Sequence, residues 1–340
     1  MNKYFYILFP IILIFCACQN DLPNEIHSEV EEPVNKDLAQ LNQNILDSPN
    51  ELAPYLERAN YYASRNMGEN ALADYDRALR IDSTNTDVLF AKGELLFGHR
   101  DVESAFDMYK KCIVSDPNNI PCLLKNAEMN VHLRQYAIAL EQINSALKTD
   151  NQLAEAYYIK GRIYKETGDS ALAVSSYQTA IESDPSFYDA YIEAGLLYSE
   201  ATSDLAIEYF NTAIELKPNS IEAVYAQAYY LQKSGFTDTS RYSQAEDLYV
   251  RILEIDPGNA IAHFNQGFID LEYRQEYRAA SLHFSKSIEL YPNYTQAYYN
   301  RGLCHESLNE INLALADYEK ALEIDPTFTS AALAKSRVLN

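Results

Sequence analysis

One alanine column constrains this chain more than anything else in it. Set in a frame of about 34 residues, the sequence places Ala71, Ala105, Ala139, Ala173, Ala206, Ala245, Ala280 and Ala314 at the same place in eight successive units. The units begin at residues 52, 86, 120, 154, 188, 221, 260 and 295, with small length changes in three of them. A second column is always tiny: Ala59, Gly93, Ala127, Gly161, Gly195, Ala228, Gly267 and Gly302. Four residues past each column alanine stands a ring, at Tyr75, Tyr109, Tyr177, Phe210, Tyr249, Phe284 and Tyr318, with Ile143 the exception. Proline closes six units, at Pro117, Pro185, Pro218, Pro257, Pro292 and Pro326.

Spacings of three, four and seven put the small and aromatic columns on one helical face. A tiny residue lets two backbones approach, and the ring fills the space beside them. Proline cannot continue a helix interior but suits the place where one helix ends and the next begins. Each unit therefore reads as two helices joined by a short turn. Neither pair can bury its apolar face alone, so the units must stack on one another. The near-verbatim echo of "ALADYDRALRID" (71–82) in "ALADYEKALEID" (314–325) is then the first and last members of one array.

The clearest copy, "YYIKGRIYKETGDSALAVSSYQTAIESDP" (157–185), resembles the tetratricopeptide repeat, and the resemblance extends over residues 52–328. It implies an all-α, right-handed superhelical solenoid of about eight helix-turn-helix repeats, with a concave groove lined by the first helix of each pair. Residues 329–340 resemble the capping helix that ends such arrays, and residues 36–51 are expected to form a half-repeat helix at the other end. The five-residue gain between Ala228 and Ala245 reads as a longer turn over "SGFTDTSRYS", and the single gain between Gly267 and Ala280 as a tolerated insertion.

The N-terminus is a separate module. Lys3 is followed by an apolar run from Tyr4 to Phe15 that fits the middle of a signal peptide and is short for a membrane span. "IFCAC" resembles a bacterial lipoprotein signal, which implies cleavage of residues 1–17 and lipidation of Cys18. By the same resemblance Gln19, which is not an aspartate, favours the outer membrane, with the periplasmic face expected ahead of the cell surface. Residues 18–35 carry five acids and no Lys or Arg, the composition of a flexible, self-repelling tether.

With 49 acidic against 27 basic residues the net charge is −22, which leaves no electrostatic footprint for nucleic acid. The sequence has no HExxH pair, GxSxG elbow, Walker phosphate loop or GxGxxG turn, so no enzyme, cofactor or metal site is expected. The six histidines read as satisfied or solvated, His283 and His305 being a repeat boundary away from any obvious ligand partner. Cys112 stands where other units carry alanine or serine and reads first as a small buried hydrophobe. A disulfide with Cys122 across the repeat junction is the alternative that an oxidising envelope would permit, with Cys304 too remote to join them.

In the tetratricopeptide family the fifth and ninth residues of each first helix face the groove. Carried onto this chain, that implies a partner surface made of Tyr158, Arg162, Ile192, Leu196, Tyr225, Tyr229, Phe264, Phe268, Tyr299 and Leu303. The ninth place runs Asn60, Glu94, Glu128, Arg162 and then Leu196, Tyr229, Phe268, Leu303, so the first half of the groove should be polar and mostly acidic and the second apolar. The leading expectation is a lipid-anchored adaptor that docks another envelope protein or a peptide segment there, with no small-molecule substrate. The rival is an outer-membrane nutrient-binding lipoprotein in which tyrosine, rather than the missing tryptophan, would stack on glycans.

Overall fold

The computed structural model describes residues 36–236 and 238–339. The signal-like segment, Cys18 and the acidic stretch to residue 35 lie outside the described residues. Among the described residues every regular element is helical. A lone helix, α1 (Lys36–Asp47), precedes eight pairs: α2 (Ala53–Ala63) with α3 (Gly68–Ile81), α4 (Thr86–Gly98) with α5 (Val102–Ser115), α6 (Ile120–His132) with α7 (Tyr136–Thr149), and α8 (Ala154–Glu166) with α9 (Ser170–Ser183). The array continues as α10 (Tyr188–Glu200) with α11 (Leu205–Leu216), α12 (Ile221–Ser234) with α13 (Ser240–Ile255), α14 (Ala260–Ile269) with α15 (Tyr277–Leu290), and α16 (Thr295–Ser307) with α17 (Ile311–Ile324), before a final α18 (Thr329–Leu339). No helix among the described residues is long and apolar enough to cross a membrane.

Local chemistry sets these boundaries. Most turns within a pair pass through a left-handed residue, at Asn66, Arg100, Arg134, Gly168, Thr202, Gln275 and Asn309. Between pairs the aspartate that follows the second helix bonds the backbone N–H two residues on, as Asp82 does to Thr84, Asp184 to Ser186 and Asp325 to Thr327. The next first helix is often capped by a side chain, Asn85 accepting from the Val88 N–H and Asn119 from that of Cys122.

The column alanines from 71 to 314 are fully buried, and the rings at 109, 177, 210, 249, 284 and 318 have no exposed surface. Five of them, at 109, 177, 210, 284 and 318, lie directly over the glycines of the tiny column. A Cβ added at Gly161 would stand 2.5 Å from the Tyr177 ring, and one at Gly93 2.6 Å from Tyr109. The echoed first and last units share a further feature. Arg58 forks onto Asp74 with two bonds of 2.7 Å, and Arg301 onto Asp317 at 2.9 and 2.6 Å, both aspartates being buried.

First helices meet their successors closely in the pairs α2/α4, α6/α8 and α10/α12, a closeness that no pair of second helices reaches. The stack therefore bends toward the first helices, which line its inner face.

The length changes are partly absorbed by helix. The "SGFTDTSRYS" segment is not one long turn: α12 runs to Ser234 and α13 starts at Ser240, so much of the gain lengthens helices and keeps more backbone groups paired. The single extra residue in the seventh unit winds into a π-turn, Asp270–Arg274, at the end of α14.

Candidate functional site

The inner face carries two different surfaces. In the sixth and seventh repeats α12 and α14 bring rings together. Tyr225 and Tyr229, one helical turn apart, stack with centroids 6.2 Å apart, and Phe264 and Phe268 do the same at 6.4 Å. Phe264 also meets Tyr294 at 4.8 Å, and Phe268 meets the edge of Tyr273 at 6.1 Å. Tyr273, lifted by the π-turn, stacks in turn on Tyr242 at 3.8 Å. Tyr229, Phe264, Phe268 and Tyr273, with Gln232 and Asn265 supplying amide groups, line an open cleft of about 280 Å³.

The ten groove residues expected from the sequence do not share one environment. Only Tyr229 is exposed, at 49%. The fifth-place rings Tyr158, Tyr225, Phe264 and Tyr299 are half-buried because each packs on the ring of its own second helix, Tyr177, Tyr249, Phe284 and Tyr318 respectively, at 5.5 to 6.3 Å. Ile192 is 4% exposed and sealed in the core of repeats five and six, so it offers a partner nothing; its expected groove role is corrected. Leu196, Phe268 and Leu303 are half-buried, and Arg162 lies over the Tyr158 ring at 6.0 Å. The structure thus brings Tyr229, Phe264 and Phe268 into one cleft, while Leu196 and Tyr225 pack on the apolar cluster of repeats five to seven and Leu303 on that of repeats seven and eight.

The first half of the face departs more from expectation. The acids are there, but between α4, α5 and α6 opens an apolar cavity of about 600 Å³ walled by Phe97, Val102, Phe106, Met129 and Leu133. Phe97 is 49% and Leu133 56% exposed. Reading only the fifth and ninth places missed it. Phe97 sits at the twelfth, the one ring in a column that otherwise holds Ala63, Val131, Lys165, Ser199, Gln232, Leu271 and Glu306, and that ring was the available signal. Glu103, Lys125 and Glu128 stand at the rim. Lys125 Nζ lies 3.8 Å from both Glu94 and Glu128, while the Tyr109 hydroxyl donates to Glu94. Burial, then repulsion from Glu128 and Glu94, holds the Glu155 carboxyl above its usual range.

Cys112 and Cys122 are joined, with Cα atoms 6.2 Å apart, which corrects the reading of Cys112 as a free small hydrophobe. The bond ties α5 to α6 within the apolar cluster that holds Met108, Tyr109 and Met129. Cys304 is free and buried, and burial pushes its thiol up to about 12. Two histidines have nearer partners than the sequence frame implied. His283 lies 3.8 Å from Asp270 inside its own repeat because the π-turn brings that acid round, and His305 Nδ1 meets Glu310 at 2.7 Å across its turn. Among the described residues no group of three or more His, Cys, Asp or Glu is arranged to hold a metal ion.

Comparison with known proteins points the same way as this geometry. Models of the tetratricopeptide repeat match residues 154–187, 188–220 and 295–328. The chain is 23% identical over 247 residues to Hsp70-Hsp90 organizing protein 3 of Arabidopsis thaliana, covering 73% of this chain and 38% of that protein. It is 22% identical over 212 residues to mitochondrial import receptor subunit TOM70 of Homo sapiens, covering 59% and 34%. The match thus spans little more than a third of the length of either curated relative. The solved C-terminal part of a repeat-containing protein from Cytophaga hutchinsonii superposes with a TM-score of 0.60 at 20% identity, covering 72% of this chain and 98% of that one, a likeness of fold. With eight stacked helix pairs, a ring set over a glycine in five of them, and repeat models matching in the middle and at the end, the chain is a tetratricopeptide-repeat protein.

Proposed function

We propose that this chain is a protein-interaction scaffold that grips a partner protein or peptide segment on its inner face, and that Cys18 anchors it by lipid to the outer membrane of a bacterial envelope. The observation that carries the reading is the cleft of repeats six and seven, where Tyr229 stands half in solvent above stacked rings with amide groups beside it. Such rigid rings bind apolar segments at little entropic cost. Two relatives are, by name, an organizing protein and an import receptor subunit, which fits a protein that handles other proteins. The buried Cys112–Cys122 bond suits an oxidising compartment, as an envelope location requires.

The test is a photo-crosslinking amino acid placed at Tyr229 and, as control, at Leu282, which is 72% exposed on a second helix. In intact cells a discrete adduct is expected from position 229 and none from 282. Equal or absent adducts would overturn the scaffold reading, and glycan retention that depends on Tyr229 would replace it with nutrient binding. The anchor is tested separately, since Cys18→Ala should release the chain from the membrane fraction.

A further inference from the structure

The cavity in repeats two and three asks for a ligand unlike that of the aromatic cleft. At about 600 Å³ it is of the size at which pockets take up a substantial group, and its walls are two phenylalanines, a valine, a methionine and a leucine. Apolar walls left this open to solvent, with Phe97 and Val102 each 49% and Leu133 56% exposed, mark a candidate interaction surface. Around the mouth the charges do not balance. Glu103, Glu128 and Glu94, with Glu155 behind them, outnumber the two lysines there, Lys125, which lies 3.8 Å from two carboxylates, and Lys110, whose ammonium sits 3.8 Å over the Phe106 ring. The imidazole of His132 also stands at the rim. The Glu155 carboxyl is raised first by burial and then by repulsion from Glu128 and Glu94, which Lys125 only partly offsets.

We propose that the cavity between α4, α5 and α6 receives a bulky apolar side chain of a partner peptide whose flanking residues are Lys or Arg. This rests on the scaffold reading and gives that reading a second site with its own ligand chemistry. Apolar contact supplies the grip, and the carboxylates select the flanks, because opposite charges at a rim add on-rate and discrimination while like charges repel. The same charges argue against the two occupants closest to hand. The chain's own residues 19–35, "QNDLPNEIHSEVEEPVN", hold five acids and no Lys or Arg, and a second copy brings another −22. The Cys112–Cys122 bond holds α5 against α6, so the walls are set before a ligand arrives.

The experiment uses the full chain labelled with 13C in its methionine methyl groups, Met129 being the one that lines the cavity. Three peptides are titrated: a twelve-residue segment with a central leucine flanked by Lys and Arg, the same segment flanked by Asp and Glu, and residues 19–35. The basic peptide is expected to move the Met129 signal and to bind roughly tenfold more tightly than the acidic one at low salt, the gap closing as salt screens the rim. Leu133→Asp, at an exposed wall, should weaken the basic peptide about tenfold with helicity intact, and Glu103→Lys with Glu128→Lys should reverse the charge preference. Leu282→Ala should change nothing. Equal affinity for the acidic peptide, a shift caused by residues 19–35, or one caused by raising the protein concentration alone would overturn the proposal. So would a basic peptide that binds with Met129 unmoved, an outcome that leaves the scaffold reading standing. No binding by any peptide overturns this site as well, and the adducts at position 229 then decide the scaffold reading by themselves.

Discussion

Repeats two and three and repeats six and seven share one backbone plan and present opposite surfaces. In the first pair the fifth-place Phe90 packs against Tyr109, and the open surface is an apolar cavity under an acidic rim. In the second pair the rings stack along α12 and α14, and of those that line the cleft Tyr229 and the π-turn Tyr273 are the exposed ones. The buried columns are nearly the same in both regions, so they set the shape and cannot set the ligand. What differs lies in places the packing leaves free: the twelfth place of α4, the rim acids of α6, and the one-residue gain that becomes the π-turn. In such arrays the repetition builds the wall and the departures from it do the recognising.

The largest expected effect breaks the shared plan beneath both surfaces. Gly93→Val would drive its Cβ into the Tyr109 ring at 2.6 Å, whereas at Gly267 the nearest atom of Phe284 is at 3.0 Å. Overpacking of this kind costs about 3 kcal/mol, so urea unfolding should show a larger loss for Gly93→Val than for Gly267→Val. Reversal of that order would mean the ring over Gly93 moves more freely than its burial implies.

The next effect sharpens the comparison, because only one region carries a covalent tie. Replacing Cys112 and Cys122 by serine opens a ten-residue link, and the chain-entropy estimate puts the loss at about 2–3 kcal/mol. In an array whose units contact only their neighbours, hydrogen exchange should quicken in α5 and α6 and stay unchanged in α12 and α14.

Smaller again is the change in binding without folding. Tyr229→Ala should leave stability within about 0.5 kcal/mol, since the side chain is half exposed, while reducing partner adducts or affinity about tenfold. Equal losses of stability and binding would make Tyr229 a packing residue.

The smallest effect concerns the C-terminal end, beyond both regions. Arg337 on α18 forks onto Glu306 at 2.8 and 2.7 Å, and this, helped by the Tyr318 hydroxyl, holds the Glu306 carboxyl below its usual range. A carboxylate depressed in the folded state stabilises above its unfolded pKa and loses that contribution as pH falls through its folded one. The protection factors of the α18 amides, taken against the intrinsic exchange rate at each pH, should therefore be highest near neutrality and fall once pH drops below the ordinary glutamate pKa of about 4.3, with Glu306→Gln removing most of the dependence.

The plan of the molecule was legible because its columns are physical necessities. Only a tiny residue fits beneath the Tyr177 or Phe210 ring, so Gly161 and Gly195 announce the packing. The echo of units one and eight likewise marks a shared contact, Arg58 on Asp74 and Arg301 on Asp317, although the sequence named the repetition without the ion pair. The site was read less well. Fifth and ninth places identify residues near the inner face, but whether a side chain there faces solvent depends on its neighbours, which is why Ile192 is sealed and Tyr229 is not. The cavity and the disulfide depend on how α4, α5 and α6 meet, and no single column records that angle. Nor does the π-turn have a residue signature of its own: one extra residue could have entered the loop, and here it entered the helix, carrying Asp270 toward His283.

The most direct test of the account is hydrogen exchange of the full chain with and without the partner captured through position 229. The account predicts added protection in the first helices, strongest in α12 and α14 and, for a partner with basic flanks, in α4 and α6 also, with the outer surface around Leu282 on α15 unchanged. Protection centred on the second helices, or none on the first, would contradict it.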